Sequence, residues 1–566
     1  MREIMVQGDL LVVGGGVAGL NAALTAAEAG ASVVIADKAH IEHSGCIAGG
    51  VDHFLAYLDT GPAWDTREAY LEFTARSSGA ATDLDVVEQV YCEELAAAIQ
   101  RMDDIGCTLR QPDGRLFRTQ SYGQPGPYWI NFNGKRMKPL LAQAVRAAGC
   151  TVLDRVVITD LLTEPQGVCG AVGFHLRAGT FYVIQAKAVL IATGGTNRLY
   201  QNPSGLSFNT WMCPVNTGDG EAMALRAGAS VANVEYLRMS VVPRGFSAAG
   251  LNAFVGMGGR LINSAGEDFM LRYDPRGVQA PRYKLAEGVL GELKANRGPV
   301  YLDCRHLDPD ALKHLVTTIG YDKDTLPDFI RQKGVDLSQD LLELAPSEGM
   351  QGGPTEVCGS GIKIGPDCAT ALPGLFAAGN SADQCRSLHM AVTSGIRAGR
   401  TAGAYASAKS FAVLPEAQIE AGREQAYAPL NSQGTINWRE LEDVTQRVIT
   451  EGLGPVRTGA GLAKCRENLA LLADQFSLLK ANNYHELCRV HELRNRLTVA
   501  QAMTEAAEFR RESRFGQSHF RLDFPDTDDA NWLGQVVVNK RGNSLETKFQ
   551  DLSYDRKRGE EHAAHN

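Results

Sequence analysis

The sequence Gly14-Gly15-Gly16-Val17-Ala18-Gly19 stands between the apolar run Leu10-Leu11-Val12-Val13 and an Ala- and Leu-rich stretch over residues 18–29. No other feature restricts the fold of this chain as strongly. In a G-x-G-x-x-G between a strand and a helix, the first glycine permits a tight turn and the second lets the backbone approach a pyrophosphate. The third allows close helix–strand packing. The helix start then offers free N–H groups and its dipole to an anion. Gly30 ends the helix, and residues 32–36 read as a second strand that delivers Asp37, with Lys38 beside it. An acid at that place accepts hydrogen bonds from ribose hydroxyls. Dinucleotide contacts are therefore expected at Gly14, Gly16, Ala18, Gly19, Asp37 and Lys38. A purely structural Gly-rich turn would leave Asp37 without a role.

This unit alone does not separate FAD from NAD; three later segments do. Residues 186–195 read AKAVLIATGG, a strand running into Thr193 and Gly194. Residues 216–229 read NTGDGEAMALRAGA, and residues 372–380 read LPGLFAAGN. The last two put Asp219, and Asn380 beside Gly379, next to glycines near a helix start. There such groups can bind ribityl hydroxyls or the edge of a flavin ring. The expected cofactor is FAD.

A chain of 566 residues is too long for one core. Helical patterns cover 84–105 and 138–148, and strands return over 182–192. From about 241 to 348 the sequence changes to short strands, charged helices and turns, as an insertion would. Strand and Gly-turn chemistry resumes at 375–379, followed by a small-residue helix over 394–408. Leu414-Pro415 mark a boundary, 438–509 is mostly helical, and the charged end from 555 to 566 is expected to fray.

The net charge of −9 disfavours a nucleic-acid partner, which would need a positive face. No apolar run is long enough to span a bilayer, so no transmembrane segment is expected. The chain enters a strand almost at once, without a charged-then-apolar leader, and a reducing, cytoplasmic setting is the expectation. Its twelve cysteines are scattered. None has the short spacing that iron–sulfur, zinc or redox-dithiol sites use, so no metal site is expected. Electrons must then reach or leave a flavin through something other than an internal metal relay.

These segments resemble the fumarate reductase/succinate dehydrogenase flavoprotein family, which includes L-aspartate oxidase and the adenylylsulfate reductase alpha subunit. The run Arg511-Glu512-Ser513-Arg514, followed by His519-Phe520-Arg521-Leu522-Asp523-Phe524-Pro525 and Asp528-Asp529-Ala530-Asn531-Trp532, is close to that family's terminal signature apart from the spacing between Arg514 and His519. The resemblance covers nearly the whole chain. It implies an α/β fold: a Rossmann-like FAD-binding domain with an inserted α+β capping domain and a C-terminal helical domain. The segments would be 1–240 and 349–412 for the FAD-binding domain, 241–348 for the cap, 413–535 for the helical domain and 536–566 for a C-terminal tail. Substrate would sit between cap and flavin.

The resemblance also assigns residues. His43-Ser44-Gly45-Cys46-Ile47-Ala48-Gly49-Gly50 is similar to the stretch that carries the flavin-linking histidine in membrane-bound members, which places His43, Ser44, Gly49 and Gly50 at the cofactor. Soluble relatives lack the covalent bond; a noncovalent flavin is expected here, with a covalent link at His43 as the alternative. Thr393-Ser394-Gly395 resembles the turn beside the flavin pyrimidine and adds Ser394. Arg282, in Ala280-Pro281-Arg282-Tyr283, is similar in placement to the arginine that shuttles a proton to the substrate carbon; a cap–core salt bridge is the alternative. Val242-Pro243-Arg244 and Asn131-Phe132-Asn133-Gly134 resemble the adenylylsulfate reductase branch. Dicarboxylate-reducing members carry His-Pro-Thr-Gly where this chain has Ser240 and its neighbours. They carry a second histidine where it has Glu348, whose charge would repel a dicarboxylate.

From the residues themselves, Arg244, Arg282 and Arg386 are candidates for bidentate anion recognition, and His389 for proton transfer. Tyr128 and Trp129 could stack on flavin or substrate, or simply belong to the core. The expected function is an FAD-dependent oxidoreductase: a flavoprotein subunit moving electrons between a small anionic substrate and a separate ferredoxin-like iron–sulfur partner. Two related readings stay open, a stand-alone oxidase similar to L-aspartate oxidase and an adenylylsulfate reductase-like alpha subunit. A non-catalytic dinucleotide-binding scaffold is a third.

Overall fold

The computed structural model describes residues 2–552, apart from residues 80, 121, 122, 249, 323, 354 and 356. Its organising element is a seven-stranded sheet. Strand β1 (Glu3–Val13) leads through helix α1 (Val17–Glu28) into β2 (Val33–Asp37). Helix α2 (Met137–Ala147) precedes β3 (Thr151–Asp154), and β4 (Val156–Glu164), β5 (Gly167–His175) and β6 (Phe181–Ile191) form a meander. The spatial order is β3-β2-β1-β6-β5-β4. The last strand, β7 (Leu375–Ala377), returns after a long excursion and pairs parallel with the end of β6.

Register explains how distant segments meet. Val13 pairs with Ala36 on one side and Ile191 on the other, and Ile191 pairs with Ala377. The carboxyl ends of four parallel strands thus lie in one row, and each is followed by one of the turns singled out in the sequence. In open α/β sheets the ligand crevice lies outside such a row. Strand β1 begins seven residues earlier than the apolar run suggests, because residues 3–9 pair only with β6 and leave the β2 side more open.

Helix α3 (Asp219–Arg226) follows β6, and helix α4 (Ser387–Ser407) follows β7. Helix α4 starts seven residues before the sequence pattern suggests, with His389 and Ser394 inside it. It lies directly on α1. A Cβ at Gly395 would stand 2.5 Å from Ala18 O, one at Gly399 2.3 Å from Ala22 O, and one at Gly403 3.6 Å from Ala26 Cβ. Small residues four apart form the ridge that lets the two backbones approach. The helical stretch expected over 84–105 is broken into Leu84–Val87, a wide π turn at Glu88–Cys92, and Leu95–Asp104.

The inserted segment carries an antiparallel sheet in the order Val241–Pro243, Leu342–Pro346, Val300–Asp303, Arg260–Ile262, with helices between its strands. C-terminal helices Trp438–Gly452, Gly459–Asp474 and α5 (Tyr484–Phe509) pack together. The tail expected from 536 onward is corrected. Gly534–Arg541 and Ser544–Asp551 form a hairpin that pairs with Ser230–Ala232, shortly after α3. Buried Val536, Val537 and Val538 hold it there, a run too short to stand out beside the charged residues after it. Residues 555–566, expected to fray, lie outside the described residues.

Close packing at this helix pair gives a paired test. Gly399→Ala should lower stability by about 1–3 kcal/mol through overpacking. Gly403→Ala, with room for its methyl group, should be neutral or stabilising by up to about 1 kcal/mol from helix propensity. Thermal melts of the two variants check this; equal shifts would contradict the packing described.

Candidate functional site

Between the row of strand ends and the inserted segment lies a cavity of about 350 Å³. At its sheet end the turn after β1 takes the shape the motif requires. Gly14 has φ +104° and packs under Ala192 O, where a Cβ would stand at 2.5 Å. Gly16 borders the cavity, and a Cβ there would meet only Ala192 O, at 3.8 Å. Helix α1 begins at Gly16 without any side-chain cap, so its first N–H groups remain for an anion. Gly19 lies behind the turn, its missing Cβ only 1.9 Å from Gly14 O. The Asp37 carboxylate accepts hydrogen bonds from Gly15 N at 2.7 Å and Ala39 N at 2.6 Å and borders the cavity beside Lys38. A glycine cradle, an uncapped helix start and an acid at the end of β2 fit the pyrophosphate and ribose of FAD.

Ala18, His43, Ser44, Thr193, Gly194, Asp219, Gly379 and Asn380 also line the cavity. His43 is exposed and its ring lies 6.3 Å from that of His40. Lys38 Nζ donates to Asp219 Oδ2 at 2.6 Å, Thr217 Oγ1 at 3.1 Å and Glu492 Oε1 at 3.2 Å. Burial alone would depress the Lys38 ammonium, but the Asp219 and Glu492 carboxylates hold it above its ordinary range. Burial pushes Asp219 up while Lys38, Asn495 and Thr217 outweigh it, so that carboxyl is lowered. This pair forms a charged wall.

Besides Gly19 behind the turn, three residues expected at the cofactor do not line the cavity. Gly49 is exposed outside it, and Gly50 packs against the carbonyls of Tyr321 and Asp322. Ser394 is buried behind the wall, where its Oγ accepts from Gly379 N at 3.0 Å.

The cap end is built around Trp211. The guanidinium carbons of Arg282 and Arg238 lie 5.5 and 5.6 Å from its ring centroid. Arg282 Nη1 donates to Ser240 Oγ at 2.9 Å, and Arg238 Nη1 donates to Thr355 O at 3.1 Å. Arg386 borders the same space, stacked against the bare backbone of Gly352. Beside it Ser387 adopts φ +71°, a strained conformation for serine of a kind that clusters at functional sites. Leu251, Met212 and Val241 supply apolar wall, and Trp129 lines the cavity in a stack with His53 at 4.4 Å.

Two proton or anion candidates lie elsewhere. Arg244 pairs with Glu343 on the surface, its side chain 67% exposed, because the turn after Val241–Pro243 faces outward. His389 is buried in an aromatic cluster, 5.2 Å from Tyr91 and 6.3 Å from Phe54 in edge-on contacts. It sits on the buried side of α4 and does not line the cavity. Tyr128 belongs to the same aromatic region and donates to Trp64 O at 2.7 Å.

Glu348 does not face substrate. It accepts from Trp211 N at 2.8 Å and from Ser247 Oγ, anchoring the Trp211 loop from behind. It is absent from the cavity lining, which removes the repulsion expected of it. Sequence reasoning missed Trp211, Arg238 and the buried Lys138, because nothing local in the sequence marks the distant partners each one meets. Among the described residues no group of three or more His, Cys, Asp or Glu side chains is placed to hold a metal ion, and no helix is long and apolar enough to cross a membrane.

Comparison with known proteins agrees with this geometry. The FAD binding domain model matches residues 9–395, and the fumarate reductase flavoprotein C-terminal model matches residues 442–561. The chain is 29% identical to a fumarate reductase (CoM/CoB) subunit from Methanothermobacter marburgensis, covering 96% of this chain and 98% of that one. It is 28% identical to the L-aspartate oxidase of Streptomyces coelicolor, over 94% and 91% of the two chains. Adenylylsulfate reductase from Archaeoglobus fulgidus superposes with a TM-score of 0.87 at 24% identity, covering 97% and 96%, a likeness of fold.

Burial pushes the Glu348 carboxyl up to about 7 from its ordinary 4.5. The folded state therefore holds this proton more tightly than the unfolded chain. Stability from this group is full below about pH 4.5 and is lost as pH rises to about 7. Glu348→Gln should be about as stable as the parent at acid pH and gain on it by about 2–3 kcal/mol above neutrality. Denaturation midpoints from pH 4.5 to 8 check this; a difference that does not grow with pH contradicts it.

Proposed function

We propose a function for a chain that belongs to the FAD binding domain family and carries the fumarate reductase flavoprotein C-terminal domain. It is an FAD-dependent oxidoreductase. We infer that it moves electrons between a small anionic substrate held under the cap and a separate ferredoxin-like iron–sulfur protein. The observation that carries the substrate class is the set of three arginines, Arg238, Arg282 and Arg386, bordering one cavity with Trp211. A guanidinium offers a planar fork of donors matched to carboxylate, sulfate or phosphate. The scattered cysteines, all free, and the naming of the M. marburgensis relative as one subunit of its enzyme support a separate electron partner.

When bound, FAD supplies two-electron chemistry and the step down to single electrons. The chain's residues do the rest. Arg386 and Arg282 bind the anionic group, and the Trp211 face orients the substrate. Ser240 Oγ accepts from Arg282 Nη1 and fixes its rotamer. Leu251, Met212 and Val241 exclude water, which strengthens each charge interaction inside. Arg282 takes the proton-handling role: His389 does not line the cavity, and an arginine releases a proton only in a desolvated setting with tight partners. Arg238, pinned to backbone carbonyls behind Trp211, keeps the ring in place.

Acid precipitation should leave FAD in the supernatant; yellow colour in the pellet would instead place a covalent bond at His43. Reduced by a low-potential dye without oxygen, the holoenzyme should be reoxidised by one class in a panel of small carboxylate, sulfonate and phosphosulfate acceptors. Arg282→Ala should slow that reoxidation by roughly 10²–10⁴-fold, while Arg244→Ala leaves it unchanged. Equal loss in both variants, or peroxide release at the full turnover rate, would overturn the partnered reading; the second outcome favours an oxidase like the S. coelicolor relative.

A further inference from the structure

Lys138 is a buried lysine, 1% exposed, at the second residue of α2. Its Nζ donates to a backbone carbonyl, Gly15 O, inside the dinucleotide turn. Ser44 Oγ donates to the same oxygen at 3.3 Å. On the preceding peptide, Gly15 N donates to Asp37 Oδ2 at 2.7 Å. Two consecutive peptides of the turn are thus pinned from outside, one through its N–H and the next through its C=O.

The second pin has a directional consequence. The peptide joining Gly15 to Gly16 is trans, so its C=O and N–H point opposite ways in one rigid plane. Holding Gly15 O toward Lys138 turns Gly16 N–H away from it. Gly16 borders the cavity, and among the described residues its N–H makes no hydrogen bond. Two glycines in succession would otherwise leave this peptide free to flip.

We propose that Lys138 is a positioning residue for the cofactor, which by its hold on the Gly15 carbonyl aims the Gly16 N–H at the pyrophosphate of FAD. It touches no cofactor itself. Its ammonium also adds a positive charge behind the anion site. Burying a lysine ammonium costs stability unless it is paired or hydrogen-bonded; here it is hydrogen-bonded to Gly15 O, and burial pulls it down to about 8, leaving it mostly charged at neutral pH. The acids that act on it are Asp37 at the end of β2 and Asp154 at the end of β3. Asp154 is in turn faced by His40 at 3.4 Å and Arg146 at 3.1 Å.

The test titrates apoprotein with FAD, following flavin fluorescence, in the parent, Lys138→Met and Lys138→Gln. A charge-assisted hydrogen bond that matters only with FAD present predicts a dissociation constant raised roughly 10–100-fold in Lys138→Met. Its apoprotein should melt at or above the parent temperature because a buried charge is gone. In the parent, FAD affinity should fall as pH rises through about 8. In Lys138→Met that fall should disappear, while any contribution of His40, Asp37 or Asp154 stays in both profiles. Lys138→Gln, a neutral donor, should be intermediate in affinity and equally flat. A dissociation constant within threefold of the parent, or matching pH profiles, overturns the proposal. So does an apoprotein destabilised as much as the holoprotein, which would mark an ordinary core lysine. A parent protein that takes up no FAD at all would instead defeat the cofactor reading on which this rests.

Discussion

The molecule depends on the register that sets Val13, Ala36, Ile191 and Ala377 side by side. Parallel pairing puts every carboxyl end on the same edge. Gly14, Asp37, Thr193 and Gly379, each at or just past one of these strand ends, are thereby delivered to one crevice from positions more than 350 residues apart. Residue 375 can join this row only because β6 changes partners along its length. Its first half pairs with antiparallel β5 and its second half with parallel β7. The long excursion between β6 and β7 leaves room for the inserted segment to grow out of the crevice and close over it. Placing the cap is thus a consequence of sheet topology.

A second constraint ties the helical domain to the cavity wall. Lys38 binds both Asp219 and Glu492, and Asn495 Nδ2 donates to Asp219 Oδ1 at 3.0 Å. Glu492 and Asn495 belong to α5. Beyond Glu492, Arg198 forks onto Glu442, with both contacts at 2.7 Å, and Arg496 joins Glu442 at 3.0 Å. Arg198 and Arg496 are almost wholly buried. Such networks add little net stability against an apolar replacement, but a missing member leaves an uncompensated buried charge. Their effect is on geometry: α5 has one seat, and the wall that carries Lys38 and Asp219 has one shape while that seat is filled.

Legibility in the sequence followed the physics of each signal. The fingerprint, Asp37 and the three later Gly-rich segments were readable because backbone conformation requires glycine there, and no packing alternative imitates the pattern. Their convergence was readable only as a family resemblance, since register is a long-range property. Arg282 and Arg386 line the cavity as expected of anion-binding candidates, but Arg244 does not. An arginine's type says what it can bind, not which way a turn faces it. His389 shows the same limit on a helix, where one turn decides between cavity and core. Glu348 shows it for charge: a carboxylate facing Trp211 N and Ser247 Oγ repels no substrate. Lys138 and Trp211 were invisible because their importance comes from partners distant in sequence.

These misses share a cause that bears on how the site works. The glycines that the strand ends bring to the cavity act through backbone, and backbone requirements are written locally as glycine. At the cap end the groups act through side chains held by other side chains: Arg282 by Ser240, Trp211 by Glu348. A family can keep the first set while changing the second, because the cofactor is constant and the substrate is not. Ser240 and Glu348 brace Arg282 and Trp211 at the cap end and take no part in the glycine turn. In the function proposed above, the choice of anion rests on how Arg282, Arg386 and Trp211 are braced, and the glycine fingerprint carries no information about it.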